Sequence, residues 1–236
     1  MHAQVNVSLR HEFGARLAGW EWDVALLQEA PPRWLPHLGH AARASGALAL
    51  TSRNWLAPLR RALGEWNPDL IASNEGGSNT TLVRPPARIV ATKRVTLTDR
   101  PERRTMLLTR LALPEGRPLV IANVHLSVPS TRQGQTEALR AAELATTWAA
   151  GDPIVLGGDL NLRPSQHGEA FDALRERFGL TPPTAPKSID HLLARGVEVV
   201  EPPTALPPTA RDVPGPAGLP IRLSDHAPVV AAFRVP

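Results

Sequence analysis

Apolar residues in this chain come in short runs, and most of those runs stop at side chains rich in hydrogen-bond acceptors. LVIA leads into Asn123-Val124-His125, IVL into Gly157-Gly158-Asp159-Leu160-Asn161, WDVALL into Gln28-Glu29, and SI into Asp190-His191, while Ser224-Asp225-His226 stands just before APVVAAF. A short bounded apolar run reads as a buried strand. Strands that end in Asp, Asn, Glu and His put those groups along one edge of a sheet, where α/β proteins build ligand sites. Five such junctions in one chain of 236 residues leave few folds that could hold them apart.

Helical spacing fills the stretches between these runs. Residues 10 to 20 place Leu17 and Trp20 three apart, residues 131 to 150 carry Leu139, Leu144 and Trp148, and 167–178 reads as a second short helix; 33–49, with Leu35, Leu38 and Ala42, is a further helical candidate. A short strand over Ala3–Val7 opens the chain and another, Val24–Leu27, delivers Glu29. Segments near 69–73, 79–84, 87–91, 95–97 and 105–113 alternate or carry β-branched residues and read as antiparallel strands, joined by turns such as Glu75-Gly76-Gly77. Prolines crowd 181–186 and 202–220, which predicts extended loops, the second joining a Val197–Val200 strand to Ser224-Asp225-His226. The alternation implies an α/β or α+β sandwich with helices covering sheets. No Gly/Ser-rich linker divides it, so a single domain over 1–236 is expected.

Composition narrows the chemistry. No apolar run reaches 18 residues and MHAQVNVSLRHEF lacks the apolar stretch of a signal peptide, so the expectation is a cytoplasmic monomer with no membrane span. The absence of cysteine rules out disulfides, thiolate zinc sites and a cysteine nucleophile. Net charge is +4, and Lys93 and Lys187 are the only lysines, so the positive charge is almost all arginine, which binds phosphate bidentately. Arg100, Arg103, Arg104 and Arg110 cluster before the 118–122 run and either flank a phosphate or form a solvated face.

Glu29, Asp159, Asn161 and Asp225 offer oxygen ligands, the set preferred by Mg²⁺ or Mn²⁺. A divalent ion beside an Asp-Asn pair and two histidines suits attack of water on phosphorus. Each junction alone has a plainer reading: Glu29 as a helix-terminal acid, Asp159 and Asn161 as an Asx-turn, His125 as a satisfied core histidine, Asp225-His226 as a turn cap. All of these must hold at once for the chain to be inert.

In the order N…QE…NxH…GDxN…IDH…SDH, from Asn6 to the final strand, the chain resembles the endonuclease/exonuclease/phosphatase superfamily, which includes deoxyribonuclease I, AP endonucleases, inositol polyphosphate 5-phosphatases and neutral sphingomyelinases. The resemblance implies a deoxyribonuclease I-like four-layer α/β/β/α sandwich, with two packed mixed β-sheets between helices and the site at one rim. It implies Asn6, Glu29 and Asp225 as metal ligands, with Mg²⁺ or Mn²⁺ as the cofactor. Asp159 then orients or deprotonates the attacking water, Asn161 stabilises the transition state, and His226 contacts the scissile phosphate or serves as base. His125 becomes a candidate proton donor to the leaving oxygen, and Asp190 orients one of the two histidines. Asn123 and Arg104 are candidate contacts to substrate phosphate. Glu75 or Asn79 falls where relatives pair a residue with a site histidine. AP endonucleases carry a tyrosine in place of His125, and this chain has none, which disfavours an abasic-site enzyme. The basic balance tips the expected substrate towards DNA or RNA; a phosphomonoesterase or lipid phosphodiesterase is the alternative.

Overall fold

The computed structural model describes residues 2–3, 7–51, 77–100, 102–128 and 131–236. The expected opening strand lies partly, and Asn6, the 69–73 strand and Glu75 wholly, outside the described residues.

Four layers stack as α/β/β/α. The second sheet has strand order β4-β5-β6-β7-β8, formed by β4 (Arg88–Thr98), β5 (Arg104–Ala112), β6 (Pro118–His125), β7 (Ile154–Asp159) and β8 (Asp190–Arg195). Every neighbouring pair is antiparallel except β6 and β7, which are joined by the long helix α3 (Thr131–Ala149), since parallel strands need a crossover. The side chains of Ala138, Ala141, Ala142 and Ala145 on α3 and Leu174 on α4 (Gly168–Phe178) meet Met106, Leu108, Val120 and Leu156, forming the outer core of this sheet.

The first sheet has order β1-β3-β2, from β1 (Val24–Ala30), β2 (Ser45–Leu50) and β3 (Ser78–Val83). Its Val24, Leu26 and Val83 face Ile121, Val155 and Leu192 of the other sheet, and Phe233 of a two-stranded ribbon and Val197 just before that ribbon close the same interior. That ribbon pairs β9 (Glu198–Ala205) with β12 (Val229–Arg234); between them a two-residue ladder joins β10 (Asp212–Val213) to β11 (Ile221–Arg222). Helices α1 (Arg10–Gly19) and α2 (Leu35–Ala42) cover the outer face of the first sheet, burying Leu17 and Leu38 against Leu82. A single guanidinium ties down both helix ends: Arg84 donates to the carbonyls of Leu17, Trp20 and Ala42 at 3.1, 2.7 and 3.0 Å and lies 4.0 Å over the Trp22 ring. Carbonyls at helix C-termini lack intrahelical partners, and Arg84 shares this task with the Trp22 indole, which donates to Leu17 O at 2.8 Å.

Several boundaries differ from the sequence reading. The helix expected over 33–49 stops at Ala42, where Arg43 turns left-handed (φ 54°), and SGALAL becomes β2. Small residues are needed there, because a Cβ on Gly46 would sit 2.5 Å from Leu35 and 2.7 Å from Leu82, so tertiary packing overrides the helical preference of alanine. The separate strands at 87–91 and 95–97 are one bulged strand, β4, whose exposed Lys93 and Arg94 protect a sheet edge. Strand β9 runs through Pro202 and Pro203, which an edge strand tolerates because no partner needs their missing N–H groups.

The chain demands glycine at position 158. Its φ is +124°, and a Cβ there would lie 2.1 Å from the Val124 carbonyl and 2.8 Å from Gln28 Nε2. Gly158→Ala is therefore expected to lower Tm by about 10 °C, equivalent to about 3 kcal/mol, in a thermal melt; an unchanged melting curve would contradict this packing.

Candidate active site

Register alone assembles the centre of the site. At the rim where β6 and β7 end, His125 is paired with Asp159, and Asp159 in turn with Asp190 at the start of β8, so three polar residues stand side by side at one level of three adjacent strands. His125 Nε2 lies 3.6 Å from Asp159 Oδ2, and its Nδ1 lies 3.9 Å from Glu29 Oε1.

Glu29 reaches this rim through a bulge. Leu27 pairs with Thr80 and Ala30 with Ser78, so Gln28 and Glu29 together oppose the single residue Asn79. Glu29 takes a left-handed backbone (φ 56°), and its side chain is 56 % exposed. Gln28 turns inward and donates to Asn123 Oδ1 at 2.8 Å, while Asn123 Nδ2 donates to the carbonyls of Thr80 at 2.9 Å and Leu27 at 3.3 Å. Asn123 is fully buried, so the expectation that it meets substrate phosphate gives way to a tie between the two sheets. Asn79 is likewise interior, donating to Thr105 O at 2.6 Å.

The loop after β11 supplies the last two groups. His226 Nδ1 sits 3.0 and 3.2 Å from the two oxygens of Asp190, which answers which histidine that acid orients. His226 Nε2 is 4.0 Å from Asp225 Oδ2, and the Asp225 side chain is 96 % exposed. Arg211 donates to the Asp225 carbonyl and holds this loop in place; nothing in the Pro-rich 202–220 stretch of sequence marked it out. His191, adjacent to Asp190, points away from the site and is buried between Leu162 O and the Thr184 N–H.

The electrostatics follow from this packing. Burial, and then the neighbouring Asp190, push the Asp159 carboxyl up to about 6, against the pull of the Asn161 N–H, His226 and Arg104. The hydrogen bond that His226 donates to the Asp190 carboxylate raises His226 to about 9 despite partial burial. At neutral pH the pair is therefore a carboxylate beside an imidazolium. Asn161, left-handed at φ 54°, donates its backbone N–H to Asp159 Oδ1 and its Nδ2 to Leu126 O, both at 2.9 Å. Arg104 is buried at the same rim with its guanidinium 2.9 Å from Glu102. Arg110, expected beside it, lies at the opposite end of β5, paired with Asp152 and stacked on Trp148. Both belong to one nine-residue strand, along which six steps carry Arg110 roughly 20 Å from Arg104.

The donor chemistry suits a hard divalent cation. Glu29 and Asp225 present exposed carboxylate oxygens, and ligand atoms of Asp159, Asp190 and His226 all lie within 4.8 Å of one another. No helix among the described residues is long and apolar enough to cross a membrane.

The sequence model of the Endonuclease/Exonuclease/phosphatase family matches residues 3–226. No curated protein matches the sequence. Among solved structures, a mannosyl-6-phosphatase from Bacteroides thetaiotaomicron superposes with a TM-score of 0.71 at 15% identity, covering 95% of this chain and 90% of its own. A humanized D. rerio TDP2 gives 0.58 at 16% identity over 96% and 90% of the two chains, and the human Nocturnin catalytic domain 0.57 at 16% identity over 75% and 71%. At these identities the likeness is one of fold.

Two measurements test the electrostatics. Asp159 costs stability when ionised: the penalty is absent below its unfolded value near 3.8 and complete above about 6. Asp159→Asn should therefore raise Tm of the metal-free protein at neutral pH by about 5 °C, on the order of 2 kcal/mol, with no gain near pH 4. His226 has the opposite sign, its stabilisation being complete below its ordinary value of 6.5 and lost as pH rises through about 9. In Asp190→Asn, the ring-proton NMR titration of His226 should move down from about 9 towards the ordinary histidine value, and the alkaline loss of stability should fade.

Proposed function

Because the chain belongs to the Endonuclease/Exonuclease/phosphatase family, a family of phosphoester hydrolases, we propose that it is a divalent-metal-dependent phosphodiesterase acting on DNA or RNA. The observation that carries this reading is the unbroken line of side chains from Glu29 through His125, Asp159, Asp190 and His226 to Asp225. It supports the reading by bringing a carboxylate raised by burial, a histidine held by Asp190 and exposed carboxylate oxygens along one rim.

In this reading Glu29 and Asp225 hold Mg²⁺ or Mn²⁺, with Asn6 as a third ligand. When bound, the ion neutralises phosphoryl oxygens and draws charge from phosphorus. Asp159 accepts a proton from water as the water oxygen bonds to phosphorus, a role suited to a carboxylate made more basic by burial and by the neighbouring Asp190. His226, protonated and held by Asp190, donates to a non-bridging phosphoryl oxygen. The amide of Asn161 supplies a second donor to the charge that develops there. As the bond from phosphorus to the leaving oxygen breaks, His125 supplies the proton that oxygen takes up.

Nucleic acid is favoured by the cations around the rim. Arg100 after β4, Arg132 in the first turn of α3 and Arg163 just beyond Asn161 are all exposed and pair with no carboxylate among the described residues. Arginines spread around a site fit a repeating phosphate backbone better than a single phosphate. The fold similarity to a mannosyl-6-phosphatase supports a phosphomonoesterase as the second reading.

Supercoiled plasmid and mono- and bis-p-nitrophenyl phosphate separate the two. Mg²⁺-dependent nicking and diester cleavage are expected, abolished by EDTA and reduced about 10³-fold or more in Asp159→Asn and His226→Ala. Intact plasmid with turnover of the monoester alone would establish the phosphatase instead.

A further inference from the structure

The proposed reaction leaves one buried acid without a task. Glu137, in the second turn of α3, is 3 % exposed. Its Oε2 accepts the backbone N–H of Ser127 at 2.8 Å, and its Oε1 accepts the Ser127 hydroxyl at 2.8 Å and Gln133 Nε2 at 3.1 Å. The first turn of α3 lies directly on the loops that follow β6 and β7: a Cβ on Gly134 would meet Ser127 O at 3.2 Å and Leu162 at 3.3 Å.

A buried carboxyl must be fully hydrogen-bonded merely to break even, and Glu137 spends both oxygens on Ser127 and Gln133. What the carboxyl adds is direction. Ser127 follows Leu126, whose N–H donates to Asp159 O and whose carbonyl accepts Asn161 Nδ2, both at 2.9 Å. With one amide proton of Asn161 spent on Leu126, the direction of the other is fixed by where that carbonyl stands.

We propose that Glu137 is a positioning residue: by gripping the N–H and hydroxyl of Ser127 it holds the Leu126 carbonyl where the Asn161 amide is aimed at the phosphoryl oxygen. This rests on the role given to Asn161 above.

The test is a mutant cycle on Mg²⁺-dependent turnover of bis-p-nitrophenyl phosphate. Glu137→Ala should lower kcat about tenfold or more with KM changed less than about twofold, and Ser127→Ala, which keeps the backbone N–H bond to Glu137, should show part of that loss. In an Asn161→Ala background the Glu137 replacement should cost less than about twofold further, whereas Glu137→Gln, which keeps an acceptor for Ser127, should recover part of the rate. Equal losses in both backgrounds, or a wild-type kcat in Glu137→Ala, overturn the proposal. If Glu137→Ala does not fold, Glu137→Gln and Ser127→Ala carry the same cycle. A wild-type kcat in Asn161→Ala, or an inert wild-type protein, would instead sink the reaction assigned above. The side-chain amide resonances of Asn161 then decide: they should shift in Ser127→Ala, and unchanged resonances would overturn the positioning role.

Discussion

The site depends on buried amides that tie two sheets together, Asn123 above all. Its polar side chains come from two sheets joined by no backbone ladder: Glu29 from the first, His125, Asp159 and Asp190 from the second. Asn123 crosses between them, accepting from Gln28 and donating to Leu27 and Thr80 directly beneath Glu29. Apolar contact alone fixes the spacing of two sheets but only loosely their slide along one another, whereas a fully satisfied buried amide has one geometry. Gly158 belongs to the same arrangement, because any side chain there would occupy the place of the Gln28 amide.

On this frame the rim concentrates charge that the fold itself does not need. Asp159 and Asp190 are paired in register, and the buried member of the two is pushed up towards neutrality while the other is compensated by His226. Left-handed backbones at Glu29 and Asn161 add local strain of order 1 kcal/mol each. Such features are stable only because the packed layers below over-determine them, and their concentration at one point marks a place selected for something other than stability.

The fold was largely legible because register and burial were written in the apolar runs. Strand ends at His125 and Asp159 could be read, and their pairing carries both side chains to one rim; Glu29 arrives there by a bulge, and Asp190 opens β8 rather than closing a strand. What escaped was anything that depends on partners distant in sequence. Asn123 looked like a phosphate contact because its amide donors could not be assigned to Leu27 and Thr80 from the sequence. Arg110 looked like a neighbour of Arg104, though the length of β5 carries it to the far side. Ser45–Leu50 looked helical because alanine is a helix former and the crowding of Gly46 by Leu35 and Leu82 is a tertiary fact. Glu137 and Arg211, which hold the loops, are ordinary charged residues in sequence.

The two-for-one bulge that presents Glu29 carries a consequence for how this site can be lost. Removing one residue from Gln28-Glu29 would restore an unbroken ladder with β3. Such a strand would be locally more regular, yet the acid would be turned to the opposite face. The presence of this carboxylate at the rim is thus encoded in chain spacing as well as in the residue itself. A sequence comparison that tolerates a gap at this point would keep the apparent motif while erasing the geometry that gives it meaning.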